Sequence, residues 1–304
     1  MTRFSVIIPT YNRKDFLLKC LETVFNQLHA PYEVILVDDG STDGTIEALA
    51  IFGNDLKIIE QTNAGPGAAR NRGAEVASGD YLAFLDSDDL WFPWTLSTFS
   101  KLIEKYSRPS LLFGRFIDFQ NEGDLHGFER EEPQGNNYAD FLSSSADGRF
   151  CGAGMMVISR ASFLSTAGFA EDFLNGEDHD LALTLGTAPG FVQVVAPIII
   201  GHRVHDDNEM GDQSKTLKGV ARLFLKEKAG EYPGGLDREI HRQEVIARHA
   251  RAAVIGALKS GHLREAFSLY LATISWNLRL RRILYLAAVP LIALASTLRP
   301  RSSR

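Results

Sequence analysis

The chain has only two cysteines, Cys20 and Cys151, and no CxxC pair. That excludes a disulfide framework and a zinc knuckle, and a reducing compartment is the expectation. It lacks a GxxxxGK[ST] phosphate loop, and Gly65-Pro66-Gly67 misses the third glycine of a dinucleotide fingerprint, so both of those cofactor readings are poor. No internal repeat is evident. From Arg3 the chain enters the short run Phe4-Ser5-Val6-Ile7-Ile8 and meets Pro9, too brief a run for a secretory signal. The cytoplasmic side is therefore expected. No acid follows Leu278, while six arginines do: Arg279, Arg281, Arg282, Arg299, Arg301 and Arg304. With a net charge of -6 overall, the chain is an acidic body with a basic tail, which argues against nucleic-acid binding on the folded part.

What is there suits a full core: 304 residues, 45% of them apolar, enough for one large or two modest domains. Residues 4–8 and 34–37 are β-branched runs stopped by Pro9 and by Asp38-Asp39-Gly40, and they read as buried parallel strands. Between them Phe16, Leu17, Cys20, Leu21, Val24, Phe25 and Leu28 recur at helical spacing after a cap at Asn12. Residues 57–59 supply another strand, 67–77 a helix and 81–85 the next strand. This alternation is that of a doubly wound α/β sheet, whose ligands bind at the carboxyl ends of strands. The polar clusters at residues 10–12, 38–43 and 86–89 all fall at such ends. The middle is less regular, with strand-like residues 115–119, a loop-rich stretch 121–137, an apolar run 155–158 and a helical stretch 181–185 headed by Glu177-Asp178. From about Gly219 the pattern is helical, with turns at 232–235 and 259–261.

One segment, Gly79-Asp80-Tyr81-Leu82-Ala83-Phe84-Leu85-Asp86-Ser87-Asp88, runs an apolar strand into two carboxylates separated by a serine, with Asp89 next. A strand alternates its side chains, so Asp86 and Asp88 are expected on one side of the sheet edge, where they can grip a hard divalent cation and through it a diphosphate. A solvated acidic turn is the plainer reading of the same residues.

The ordered set Val6-Ile7-Ile8-Pro9-Thr10-Tyr11-Asn12, Val37-Asp38-Asp39-Gly40-Ser41-Thr42-Asp43-Gly44-Thr45, Asn63-Ala64-Gly65-Pro66-Gly67-Ala68-Ala69-Arg70-Asn71, Asp86-Ser87-Asp88 and Glu177-Asp178 resembles family 2 glycosyltransferases of the GT-A fold. The resemblance spans residues 4–205. It implies an α/β, Rossmann-like mixed sheet, here followed by a C-terminal helical extension. It also implies that Pro9, Thr10 and Tyr11 border a uracil, that Asp39 accepts from its ring N–H, and that Arg70 lies near the base or the phosphates. Asp88 would bond directly to Mn²⁺ or Mg²⁺, and Asp86 would approach the ribose. His205 would complete the coordination or touch the diphosphate, with His202 its rival three residues earlier. Asp178 would be the general base, beside Glu177 in the substrate site. Taken without the resemblance, Asp39 is a turn residue, Arg70 a surface salt-bridge partner, His205 a surface histidine, and Glu177-Asp178 a helix N-terminus favoured by the dipole.

Residues 283–298 carry no charge and as a helix would span about 24 Å at roughly 1.5 Å per residue, against a hydrocarbon core of about 30 Å. With Pro290 inside and arginines at both ends, the segment is expected to lie on or dip into the inner membrane face, the alternative being a terminal helix packed on protein. The expected organisation is a catalytic domain over 1–215, a helical extension over 216–278 and a basic, apolar tail over 279–304. The expected activity is metal-dependent, inverting transfer of a sugar from a nucleoside-diphosphate donor, UDP-linked, to a glycan or lipid-linked acceptor in envelope polysaccharide assembly. The competing readings are a sugar-nucleotide pyrophosphorylase, which wants a glycine-rich basic loop where Pro9-Thr10-Tyr11-Asn12-Arg13 stands, and a non-catalytic nucleotide-sugar-binding module. An aspartyl phosphatase is disfavoured, because Asp38 and Asp39 are adjacent rather than spaced by one.

Overall fold

The computed structural model describes residues 1–147, 152–172, 174–205 and 212–298. Cys151 and the arginines at 299, 301 and 304 lie outside the described residues. The chain divides into two compact units, one of Met1–Phe173 with Glu177–Asp206 and the other of Leu174–Gly176 with Asp207–Arg304.

The first unit follows the alternation its sequence predicts: β1 (Phe4–Thr10), α1 (Lys14–Phe25), β2 (Glu33–Asp38), α2 (Thr45–Ala48), β3 (Leu56–Glu60), α3 (Pro66–Val76) and β4 (Tyr81–Phe84). Strands β1 and β2 are buried on both faces, which is why they read as continuous apolar runs. The chain continues through β5 (Leu90–Trp91), α4 (Thr95–Lys105), β6 (Leu111–Phe113), β7 (Phe116–Phe119), β8 (Gln134–Tyr138), β9 (Met156–Ser159), α5 (Arg160–Leu164), α6 (Glu177–Thr184), β10 (Phe191–Ala196) and β11 (Ile200–Arg203).

Eight strands form one sheet in the order β3-β2-β1-β4-β9-β6-β10-β8, and β5-β11-β7 form a second. The first four strands are mutually parallel, with Thr10 opposite Asp38 and Ile7 opposite Phe84. Antiparallel β9 then separates β4 from β6. The sheet is thus mixed, and the ends of β2, β1 and β4 open side by side at one edge.

Helix α1 buries Leu17, Cys20, Leu21 and Val24, and each of its aliphatic members contributes about 1.5–3 kcal/mol by leaving water. Its start differs from the expectation. Asn12 is not the cap: Arg13 holds that position without a side-chain bond. Asn12 turns the chain at φ 50°, a left-handed conformation asparagine tolerates, and its Oδ1 accepts the Thr42 N–H at 2.8 Å. Asp43 does the capping from the neighbouring loop, accepting the Lys14 N–H at 3.1 Å.

The second unit contains α7 (Gln213–Ala229), α8 (Glu239–Lys259), α9 (Leu263–Arg279) and α10 (Ile283–Leu298). Helix α7 begins six residues before the Gly219 expected from periodicity, because Asp212 caps it by accepting from Ser214 N and Lys215 N. Helix α10 continues through Pro290 and is not a detached tail: Val289 and Ala293 are buried with Val254, Leu258 and Leu269, and the Tyr270 hydroxyl donates to Leu286 O at 2.9 Å. Among the described residues no helix is long and apolar enough to cross a membrane.

Candidate active site

The carboxyl ends of β1 and β2 carry the first motif. Thr10 is buried and Tyr11 is 48% exposed, so Pro9, Thr10 and Tyr11 turn from core to surface within three residues. Asp39, just past β2, is buried and fully engaged with the next motif. Its Oδ1 accepts from Gln61 Nε2 at 2.7 Å and from Ala64 N at 2.8 Å, and its Oδ2 accepts from Gly65 N at 2.8 Å. These bonds pin the loop that starts α3. Thr10 Oγ1, Asp38 Oδ1 and Arg70 Nε are buried without a hydrogen-bond partner among the described residues, a concentration of unpaired polar atoms that a folded core normally avoids.

Arg70, on α3, joins two acidic motifs that lie far apart in sequence. Its Nη2 donates to Asp86 Oδ1 at 2.6 Å and its Nη1 to Glu177 Oε1 at 3.0 Å. Burial alone would depress the guanidinium; the two carboxylates outweigh it and hold Arg70 above its ordinary value. Two close approaches make the arrangement possible. A Cβ on Gly67 would sit 2.3 Å from Ala170 O, and one on Gly154 would sit 2.7 Å from Asp86 Oδ2, so only glycine lets these backbones come so near. The sequence grouped Asp86 with Asp88; the structure ties Asp86 to Arg70 instead.

Asp88 meets His205. The His205 Nε2 lies 3.0 Å from Asp88 Oδ2, and its ring stacks on Phe16 with centroids 5.2 Å apart. The rival His202 is elsewhere, with Nδ1 2.8 Å from Asp118 Oδ1. A second residue, Asp89, fixes the encounter: its Oδ1 accepts the Arg203 N–H at 2.9 Å, while Arg203 Nε donates back to Asp88 O at 2.9 Å. The acidic turn and the end of β11 are thereby locked together. Burial, then Asp86 and Asp88, push the Asp89 carboxyl well above its usual range, and burial with the same acids raises the Cys20 thiol, leaving it an inert core residue.

The cation implied by the resemblance can be tested against this geometry. Two ligands at about 2.1 Å on neighbouring octahedral positions stand about 3.0 Å apart, which is the Asp88–His205 separation, and carboxylate oxygen with imidazole nitrogen is a suitable donor pair. The pair fits. Among the described residues no three His, Cys, Asp or Glu side chains are arranged to hold one ion.

Helix α6 begins at Glu177, with Asp178 next to it. Asp178 Oδ1 accepts from the His179 backbone N–H at 2.7 Å and lies 2.6 Å from His179 Nδ1. Burial would raise the Asp178 carboxyl, but His179 holds it below its usual value. Burial would likewise depress His179, and Asp178 holds it above. Burial and the neighbouring Asp178 raise Glu177 against the pull of Arg70. Three residues here were given no role in the sequence reading: Arg13, which approaches His205, Asp89 and His179. Each sits next to a recognised residue, but only its contacts distinguish it from an ordinary polar neighbour.

The sequence profile described as glycosyl transferase family 2 matches residues 5–165. A Haemophilus influenzae glycosyltransferase is 30% identical over 188 residues, covering 62% of this chain and 63% of that protein. The Rickettsia conorii glycosyltransferase RC0461 is 42% identical over 106 residues, 34% of this chain and only 18% of its own length. Among solved structures, S. aureus TarS residues 1–349 in complex with UDP-GlcNAc superposes with a TM-score of 0.60 at 17% identity, covering 91% of each chain. The Pyrobaculum calidifontis mannosyltransferase PcManGT, in complex with GDP-Man and Mn²⁺, gives 0.53 at 19% identity, covering 96% of this chain and 87% of its own. These two establish the fold as GT-A; the profile match over more than half of its length establishes that the chain belongs to glycosyl transferase family 2.

Proposed function

We propose that this protein is an inverting glycosyltransferase that moves a sugar from a UDP-linked donor to a glycan or lipid-linked acceptor in envelope polysaccharide assembly. The observation that carries the reading is Arg70, whose single buried guanidinium brings the Asp86 turn and the Glu177-Asp178 helix start to one place. That convergence is what a donor site with an adjacent base requires. TarS was solved with UDP and with UDP-GlcNAc, which favours a uridine donor.

In this reading Pro9, Thr10, Tyr11 and Asp39 border the base, and Asp86 approaches the ribose. Asp88 and His205 would hold a Mn²⁺ or Mg²⁺ ion, whose charge would offset that on the departing diphosphate. Asp178 Oδ1 is occupied by His179, so Oδ2 is the oxygen that takes the proton from the attacking acceptor hydroxyl. The acceptor oxygen forms its bond to the anomeric carbon as the bond to the diphosphate breaks, and the electron pair leaves with the diphosphate. Attack from the opposite face inverts the centre.

The test is Asp178→Asn, assayed by UDP release across UDP-sugars with Mn²⁺ and by UDP binding. Turnover should fall by at least about 10²-fold, the lower end for losing a general base, while UDP affinity holds. Unchanged turnover removes Asp178 from the mechanism.

The second unit carries an exposed apolar face. On α10, Leu284, Leu291 and Leu294 are exposed at helical spacing, and Arg281 is exposed at its head. Exposed apolar side chains beside an exposed arginine suit an anionic lipid surface. The protein should sediment with phosphatidylglycerol vesicles and not with phosphatidylcholine ones; failure to sediment with either removes the membrane from this reading.

A further inference from the structure

One phenyl ring gathers the basic side chains around Asp88. Phe16 opens the apolar spacing of α1 but is not among that helix's buried residues, Leu17, Cys20, Leu21 and Val24. What its ring stacks with is polar. The His205 imidazole lies on it with centroids 5.2 Å apart and planes 22° from parallel. The Arg203 guanidinium carbon lies 4.8 Å from the Phe16 centroid and 4.5 Å from that of Phe119, both within cation–π range. Arg13 Nη1 lies 3.0 Å from His205 Nε2 and 3.5 Å from Nδ1, which places it over the imidazole face. The imidazole is thus contacted through its faces, while Nε2 stands 3.0 Å from Asp88 Oδ2.

The lone pair with which an imidazole binds a cation lies in the plane of the ring, so whatever fixes the plane fixes the direction of binding. We infer that Phe16 is a positioning residue: its ring sets the plane of His205 and so presents Nε2 beside the Asp88 carboxylate before a divalent ion arrives. The inference rests on the proposal that Asp88 and His205 are ligands and adds the side chain that orients one of them. Stacking restrains the plane without occupying an in-plane lone-pair direction, which a hydrogen bond to Nε2 would do. The same ring reaches the other ligand through Arg203, whose Nε donates to Asp88 O at 2.9 Å. The backbone of one ligand and the imidazole of the other share one aromatic support.

Were Phe16 only filling space, leucine would serve in its place. Leucine is apolar but has no flat face, so the imidazole could turn about its side-chain bonds, and the cation would then have to order it on binding. An imidazole ordered by folding spares the metal that cost. The effect belongs to metal affinity and not to the chemical step, because Phe16 is assigned no reacting atom. At saturating metal, kcat should therefore stay near that of wild type, and UDP binding without metal should not change.

The experiment is a Mn²⁺ titration of the full chain with saturating UDP, read as loss of the free-ion signal in electron paramagnetic resonance. Phe16→Leu should bind Mn²⁺ about tenfold more weakly than wild type, the lower end for losing a group that orients a metal ligand. The Mn²⁺ concentration for half-maximal turnover should rise in the same proportion. Phe16→Tyr keeps the flat face and should stay within about threefold of wild type on the same scale. His205→Ala separates the two readings. If His205→Ala loses Mn²⁺ binding while Phe16→Leu binds as wild type does, the positioning role is overturned and the metal site stands. If Phe16→Tyr is as weak as Phe16→Leu, the flat face is not what orients the ligand, and the inference is again overturned. If His205→Ala binds Mn²⁺ as wild type does, His205 is no ligand and the role of Phe16 falls with it. Melting curves show which variants are folded; Phe16→Met makes the same comparison should the leucine variant not fold, and a lowered melting temperature with unchanged Mn²⁺ affinity marks Phe16 as packing alone.

Discussion

Each unit holds a deeply buried arginine paired with a carboxylate, and Arg70 and Arg242 are buried to the same degree, both 4% exposed. Both make an ion-pair contact of 2.6 Å, Arg70 with Asp86 and Arg242 with Glu227. What surrounds them differs. Arg242 meets one carboxylate and spends its remaining donors on backbone, Nη1 to Pro233 O at 2.7 Å and Nη2 to Gly235 O at 3.0 Å. Charge is balanced, and the bonds close the turn between α7 and α8. Arg70 meets two carboxylates, leaves Nε unpaired, and holds Asp86 with 35% of its side chain exposed. Charge is in surplus there, and one partner stays open to solvent. Burial by itself thus says little about purpose; imbalance around a buried charge is the better sign of a site.

The comparison breaks most visibly through stability. Arg242→Met leaves Glu227 buried without its cation, and removing one partner of a buried pair costs about 3–5 kcal/mol. Urea unfolding of wild type and variant measures it, and adding Glu227→Leu should restore a large part of the loss, since an apolar pair of similar volume carries no desolvation penalty. A loss under about 1 kcal/mol, the range of an exposed pair, would mean that Arg242 is not the structural member of the comparison.

Arg70→Met should show the opposite balance. Asp86 can turn to solvent, and Glu177, already raised by burial and by Asp178, takes a proton more readily once Arg70 is gone. The stability loss should accordingly be smaller than for Arg242→Met. UDP affinity should fall by about tenfold or more, the value of one charge-assisted contact near 1.4 kcal/mol. Equal destabilisation by the two substitutions with unchanged UDP binding would erase the distinction drawn here.

Much of the first unit was legible because strands and motifs obey local rules. Residues 4–8 and 34–37 could be read as buried strands from their β-branched runs, and the polar clusters had to fall at strand ends once the alternation was recognised. The resemblance then supplied roles that spacing alone does not. What could not be read was set by contacts between segments distant in sequence. Asp86 and Asp88 look equivalent in Asp86-Ser87-Asp88, yet Arg70 captures one and His205 the other. Asn12 has the composition of a cap, but Asp43 arrives from the next loop to do that work. Helix α10 reads as a tail because its charge-free run is uniform; only Val289 and Ala293 show which face packs. Arg13 was legible as a basic residue after Asn12, but its approach to Asp88 and His205 exists only in three dimensions.

The smallest effect lies with His179 and sharpens the functional side of the comparison, because it asks whether charge surplus tunes chemistry or merely sits there. His179 holds the Asp178 carboxyl below its usual value against burial, and Asp178 holds His179 above its own. The pair is therefore fully charged from the pH at which Asp178 ionises up to the raised value of His179, and its contribution fades as pH falls through the first or rises through the second. In His179→Gln the imidazolium charge is lost while a side-chain donor remains. Asp178 should then rise, so the acid limb of the pH profile of kcat/KM moves to higher pH. Turnover near neutrality should change by less than about tenfold, the worth of one pKa unit. His179→Ala should move the acid limb at least as far, since it loses donor and charge together. An acid limb that stays in place in both variants, with turnover lowered evenly across pH, would reduce His179 to a packing residue and leave Asp178 to act on the acceptor proton unassisted.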